Sequence, residues 1–238
     1  MIDTKLPVYG IFIIIALIVG LIIIWINLKK LKFTTEEKIN LLMYISFGAL
    51  IGGKLLEYIT NLKKIDNLSK FKSIGVSSYG AVFGIIIILL LFSKKYKKKF
   101  IDLIYVSLPA IPLMYAIAKL GCFLVGCCYG IKYSGPLKIV YNYSLFAPKN
   151  ISLFPVQFLE TLVFIIISIY AYQKVKNSSP NNSTIGKIII VSSSMKFILD
   201  YLRMSHTTII TINQAISILF FLAGILFIMK NKNNENVQ

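Results

Sequence analysis

Apolar residues fall along this chain in long blocks, not in the short alternations of a half-buried sheet. Seven blocks stand out, at roughly 7–27, 39–60, 76–93, 100–117, 153–173, 185–202 and 213–229. Each approaches the ~20 residues a helix needs to cross a bilayer. The pattern predicts an all-α polytopic membrane protein with about seven transmembrane helices. The fourth block is interrupted by Pro109 and Pro112. Proline inside a helix lacks an N–H and clashes with the preceding turn. A broken or re-entrant segment is expected there, leading into a long external loop at 119–152. Loops of that size are commonly functional. On this pattern, 1–230 reads as a single transmembrane domain and 231–238 as a disordered cytoplasmic tail. The first run reads as a retained helix: it is too long for a leader, and no A-x-A-like site follows it.

Composition sharpens this. The 238 residues are 57% hydrophobic, unlike a soluble domain of that length. A formal net charge of +17 would suit nucleic acid, but the lysines cluster between the apolar blocks. That distribution suits topology and anionic headgroups instead, and no nucleic-acid partner is expected. Segments after the first, third, fifth and seventh spans carry fourteen basic residues, against ten on the opposite face. Excess basic charge marks the cytoplasmic side, so the N-terminus is expected outside and the C-terminus in the cytoplasm of a bacterial plasma membrane. Arg203 is the single arginine and His206 the single histidine.

The stretch Lys119 to Gly130, K-L-G-C-F-L-V-G-C-C-Y-G, holds all three cysteines. Its small residues suit close helix approach; a basic residue beside glycine-rich backbone also suits an anionic headgroup. Cys122, Cys127 and Cys128 lack a C-x-x-C pair or a fitting histidine, so no metal site and no cofactor are expected. In the sixth block Ser192, Lys196, Asp200 and Arg203 share one helical face. Ionisable residues within a span normally face a bundle interior. Two readings stay open: a self-satisfied Lys196–Asp200–Arg203 ladder, or an anion site in which Arg203 grips a phosphate and Asp200 orients it. Gly48 and Gly52, and likewise Gly80 and Gly84, read as packing faces. Lys54 either snorkels to the interface or joins the site, and Tyr79 is either an interfacial anchor or a headgroup ligand. Gln157 and Glu160 are three apart and share a face.

Together these segments resemble the prolipoprotein diacylglyceryl transferase family. Ala118 to Gly130 is similar to the family's G-R-x-G-N-F-x-N-G signature, with the G-C-C-Y-G ending of some members. Phe154-Pro155-Val156-Gln157-Phe158-Leu159-Glu160 resembles its H-P-x-Q-x-Y-E, and Asp200-Tyr201-Leu202-Arg203 its E-F-x-R. Asn213-Gln214-Ala215-Ile216-Ser217 resembles its G-Q-x-x-S, Gly52-Gly53-Lys54 its G-A-R, and Asp102 an acidic residue near the fourth span. Where the family has F-H-G-G this chain has Ser78-Tyr79-Gly80-Ala81; its signature arginine is Lys119, its next-turn asparagine Cys122, and its second histidine Phe154.

The resemblance implies transfer of the diacylglyceryl group of phosphatidylglycerol to the lipobox cysteine of a prolipoprotein signal peptide. It places Tyr79, Arg203 and Lys119 at the chemistry. It places Lys54, Gly80, Gly121, Cys122, Gly126, Gln157, Glu160, Asp200 and Gln214 around the substrates, with His206 a further proton-acceptor candidate. The alternative on the same scaffold is a paralogue that binds anionic phospholipid or a membrane partner without turnover. A thiol-redox or metal-handling role would rest on the cysteines alone.

Overall fold

The computed structural model describes residues 8–60, 75–205 and 209–235, with side chains to 230. The helices are α1 (Val8–Leu28), α2 (Thr35–Thr60), α3 (Ser78–Tyr96), α4 (Phe100–Ser107), α5 (Ala110–Val125), α6 (Val156–Asn177), α7 (Asn182–Asp200) and α8 (Ile212–Glu235). Strands β1 (Ile139–Val140) and β2 (Ser152–Leu153) form a small antiparallel pair between α5 and α6. Six stretches are long and apolar enough to cross a membrane, α4 and α5 counting as one. Their outward faces, such as Ile14, Ile18 and Ile22 of α1, are exposed isoleucines, as suits hydrocarbon surroundings. The chain is a multi-pass membrane protein. The expected sixth span corresponds to α7, which falls outside those six. It has given apolar positions to Ser193, Lys196 and Asp200, all three of them buried.

The break at the prolines is where the pattern put it. Ser107 ends α4, and Pro109 is the N-cap of α5. Pro112 sits in the first turn of α5, where backbone N–H groups lack helical partners anyway. The loop starts later than expected. Lys119, Gly121 and Cys122 lie on α5, which runs on to Val125 and stops at Gly126 in the left-handed conformation (φ 76°). A residue without Cβ adopts that conformation at no steric cost, so Gly126 is the stop signal.

The chain forms two compact units, 23–107 and 8–22 with 108–235. In the first, Gly48 and Gly52 of α2 face Gly80 and Gly84 of α3. A Cβ on Gly48 would lie 2.8 Å from the Gly84 carbonyl, and one on Gly84 would overlap the Gly48 carbonyl. Helix α2 begins in a reciprocal capping box: Glu37 N–H donates to Thr34 Oγ1 (3.1 Å) and Thr34 N–H donates to Glu37 Oε2 (2.9 Å).

In the second unit, α5 and α6 are tied by side-chain donors to backbone carbonyls. Ser168 donates to the Pro109 carbonyl (2.7 Å) and Thr161 to that of Ala116 (3.2 Å). Gly121 of α5 lies against Phe12 of α1. Helices α7 and α8 cross at Gly186 and Gly224, where a Cβ on Gly186 would stand 2.5 Å from the Gly224 carbonyl. The segment after α5 carries its own small core of Tyr141, Ala147 and Leu153. Tyr141 and Ser144 donate to the Phe123 and Val125 carbonyls (2.9 and 2.7 Å), satisfying the open end of α5.

Replacing Gly186 by Val should lower the thermal unfolding midpoint in detergent, because overpacking costs about 1–3 kcal/mol. Gly75→Val should leave it unchanged, since nothing lies within 4 Å of a Cβ there.

Candidate functional site

Three helices of the second unit converge on one carboxylate. Glu160, on the second turn of α6, is fully buried. Its Oε1 accepts from Arg203 Nη2 (2.5 Å), from Lys196 Nζ (3.2 Å) and from the Tyr115 hydroxyl (2.5 Å). Lys119 Nζ lies 3.4 Å from Oε2. Tyr115 and Lys119 are one turn apart on α5, so both reach the same neighbour. The Tyr115 hydroxyl also accepts from Lys196, and its ring lies 4.6 Å from the Lys196 ammonium and 5.4 Å from that of Lys119. Cation–ring contacts of this kind gain strength when desolvated. Lys119, Lys196 and Arg203 are all buried.

Arg203 follows the end of α7 and is held by backbone. Ile131 N–H donates to the Leu202 carbonyl (3.0 Å) and Met204 N–H to that of Tyr129 (3.2 Å), so Gly130 stands opposite Arg203. The same segment bonds on to 152–154 through Phe154 N–H to Ile131 (2.9 Å). Gly130 is required: a Cβ there would overlap the Phe154 carbonyl. Asp200 Oδ1 lies 3.7 Å from Arg203 Nε, and its Oδ2 accepts from Thr211 (2.6 Å). Thr211 and Gln214 form the capping box that opens α8, with Thr211 N–H donating to Gln214 Oε1 (3.0 Å) and Gln214 N–H to Thr211 Oγ1 (3.1 Å). A connected path therefore runs from Gln214 through Thr211 and Asp200 to Arg203.

Lys119, Glu160, Asp200 and Arg203 come together, with Gln214 behind them. The ladder reading of α7 needs revision, because Lys196 turns to Glu160 of α6. Gln157 is buried one turn before Glu160 and donates to the Cys127 carbonyl (2.8 Å). Gly121 and Gly126 have packing and capping reasons for being glycine. Lys54, Tyr79 and Gly80 belong to the other unit: Lys54 is half-buried on α2, Tyr79 is buried in the first turn of α3, and Gly80 lies against α2 at Gly52. His206 lies outside the described residues. Sequence reasoning missed Tyr115; its spacing of four from Lys119 was the available signal.

The three thiols of Cys122, Cys127 and Cys128 lie within 4.8 Å of one another. Hydrogen bonds with the Cys122 and Cys127 thiols, followed by the nearby Lys119 ammonium, hold the Cys128 thiol well below its ordinary range. Hydrogen bonds with Cys122 and Cys128 push the Cys127 thiol up.

A family model described as prolipoprotein diacylglyceryl transferase matches residues 1–230. The chain is similar to the phosphatidylglycerol–prolipoprotein diacylglyceryl transferase of Clostridium tetani, 26% identical over 93% of this chain and 91% of that protein. It is 27% identical to transferase 2 of that name from Clostridium perfringens, over 90% of this chain and 89% of the relative. To the Campylobacter jejuni protein of the same name it is 28% identical, over 93% and 88% respectively.

Glu160→Ala removes the shared counterion of three buried cations and should cost about 3–5 kcal/mol of stability. Equilibrium unfolding in mixed micelles measures it. Adding Lys196→Met to that variant removes one stranded cation and should recover part of the loss.

Proposed function

Because the chain belongs to the prolipoprotein diacylglyceryl transferase family, we propose that it moves the diacylglyceryl group of phosphatidylglycerol onto the lipobox cysteine of prolipoproteins. The observation that carries this reading is the buried set of Lys119, Lys196 and Arg203 against Glu160 and Asp200. It carries formally one positive charge in excess, against α5 and α6, which are long and apolar enough to lie in a bilayer. An anionic headgroup supplies the missing charge.

In the proposed reaction the acceptor sulfur attacks the glyceryl carbon that bears the phosphate ester. A C–S bond forms, the S–H and C–O bonds break, glycerol phosphate leaves with the C–O bonding electrons, and the thiol proton passes to the released phosphate or to solvent. Negative charge grows on the departing phosphate. Fixed cations in a dry site stabilise such charge without reorganising. Arg203 is the principal donor, since its planar fork fits phosphate. Lys119 and Lys196 add compact charge, and Glu160 and Asp200 hold the cations in place. Gln157 is a headgroup hydrogen-bonding candidate. Tyr79 stands where the resemblance places the family's histidine, but a phenol is a poor stand-in for an imidazole as proton acceptor. We assign it no proton-transfer role. The positive-inside bias supports placing this chemistry at the outer face of a bacterial plasma membrane, with the N-terminus outside.

Expression in cells depleted of their own transferase tests the proposal. Lipoproteins should regain the diacylglyceryl group. Arg203→Ala should lower the rate by about 100- to 1,000-fold, and Arg203→Lys should fall between, keeping charge without the fork. Unmodified lipoproteins despite good membrane expression would overturn the activity, and phosphatidylglycerol binding without turnover would favour the non-catalytic alternative.

A further inference from the structure

The cation cluster leaves the three cysteines without a task. Cys122 is in the last turn of α5, and its carbonyl accepts from both Gly126 N–H (2.9 Å) and Cys127 N–H (3.1 Å). Gly126 is left-handed at φ 76°, and so is Cys128 at φ 54°. Two left-handed residues, two apart, curl the chain so that the three sulfurs meet within 4.8 Å. Glycine explains the first of these. The second places a side chain in a conformation that costs about 1–2 kcal/mol, at a residue that is exposed.

We propose that Cys122, Cys127 and Cys128 form a three-thiolate site for a soft d10 cation, Zn2+ or Cu+. Thiolate sulfur selects these ions over harder ones. With a Zn–S distance of about 2.3 Å, tetrahedral sulfurs stand about 3.8 Å apart, so the trio needs only small side-chain adjustments to close on an ion. Loading breaks three S–H bonds, and the protons pass to solvent. Three thiolates around Zn2+ carry one net negative charge, two around a monovalent ion. Lys119, three residues before Cys122 on the same helix, shares its face. The exposed side at Cys128 leaves room for a fourth ligand. Gln157 adds a second observation. It is fully buried, donates to the Cys127 carbonyl, and among the described residues its own Oε1 has no hydrogen-bond partner, an acceptor left over beside the cysteine turn.

The full chain, purified in detergent and reduced, tests this without reference to transferase activity. Titration with Co2+ as an optical stand-in for Zn2+ should give thiolate-to-metal charge-transfer absorption saturating at one ion per chain, reversed by Zn2+. A parallel titration with Cu+ against a competing chelator resolves which ion binds more tightly. One equivalent of either ion should protect all three thiols of the unmodified chain from alkylation, a readout that needs no variant. Cys128→Ser should weaken binding by more than about 100-fold, the upper range for losing even an outer partner of a metal ligand, with an unchanged unfolding midpoint in metal-free buffer. Absence of stoichiometric binding, unprotected thiols, or undiminished binding by Cys128→Ser would overturn the site. So would a disulfide between two of the three that persists as the stable resting form.

Discussion

One carboxylate governs the second unit. Glu160 has no exposed surface, and an isolated ionised carboxylate in hydrocarbon is untenable. Its charge is tolerable because Arg203, Lys196 and Lys119 stand around it and Tyr115 adds a hydroxyl. The dependence runs both ways, since three buried cations without Glu160 would repel one another. Helices α5, α6 and α7 each contribute to the group. In lipid, greasy surfaces have little reason to prefer one neighbour over another. A charge cluster that is satisfied in only one arrangement supplies that preference.

The cluster also explains the segment between α5 and α6. Arg203 lies past the end of a helix, where a side chain would otherwise sweep a wide arc. Backbone pairing of 129–131 with 202–204, and of 131–133 with 152–154, removes that freedom. Tyr141 and Ser144 anchor the same segment to the open carbonyls of α5. The segment is therefore a brace between Lys119's helix and Arg203's turn, built mostly from main-chain hydrogen bonds. Such bonds depend little on side-chain identity, apart from Gly126 and Gly130.

That division decides what could be read from the chain alone. Hydropathy located the long helices, Pro109 and Pro112 located the break, and the glycines marked the α2–α3 crossing, because each signal is local. The face of Lys196, Asp200 and Arg203 was legible for the same reason. Their partners were not. Whether Lys196 turns to Asp200 on its own helix or to Glu160 on another is settled by tertiary packing, which periodicity does not encode. The loop start slipped from Gly126 to Lys119 because the apolar block fades before the helix does. The meeting of the cysteines was invisible, since C-x4-C-C spacing does not by itself fix the turn at Gly126 and Cys128 that accompanies it.

The geometry around Arg203 bears on how an anion would be received. Glu160 takes Nη2, while Nε is buried, 3.7 Å from Asp200 and with no hydrogen-bond partner among the described residues. A guanidinium donates through five N–H groups, so these two carboxylates leave donor capacity unspent while fixing the plane of the fork. A lysine in its place would carry the charge but could not be held by one edge and offer another. Lys119 faces no such demand: as a neighbour of Glu160 Oε2 it needs only to be cationic and close. The chain accordingly has lysine at 119, where charge alone suffices, and its single arginine at 203, where planar geometry matters.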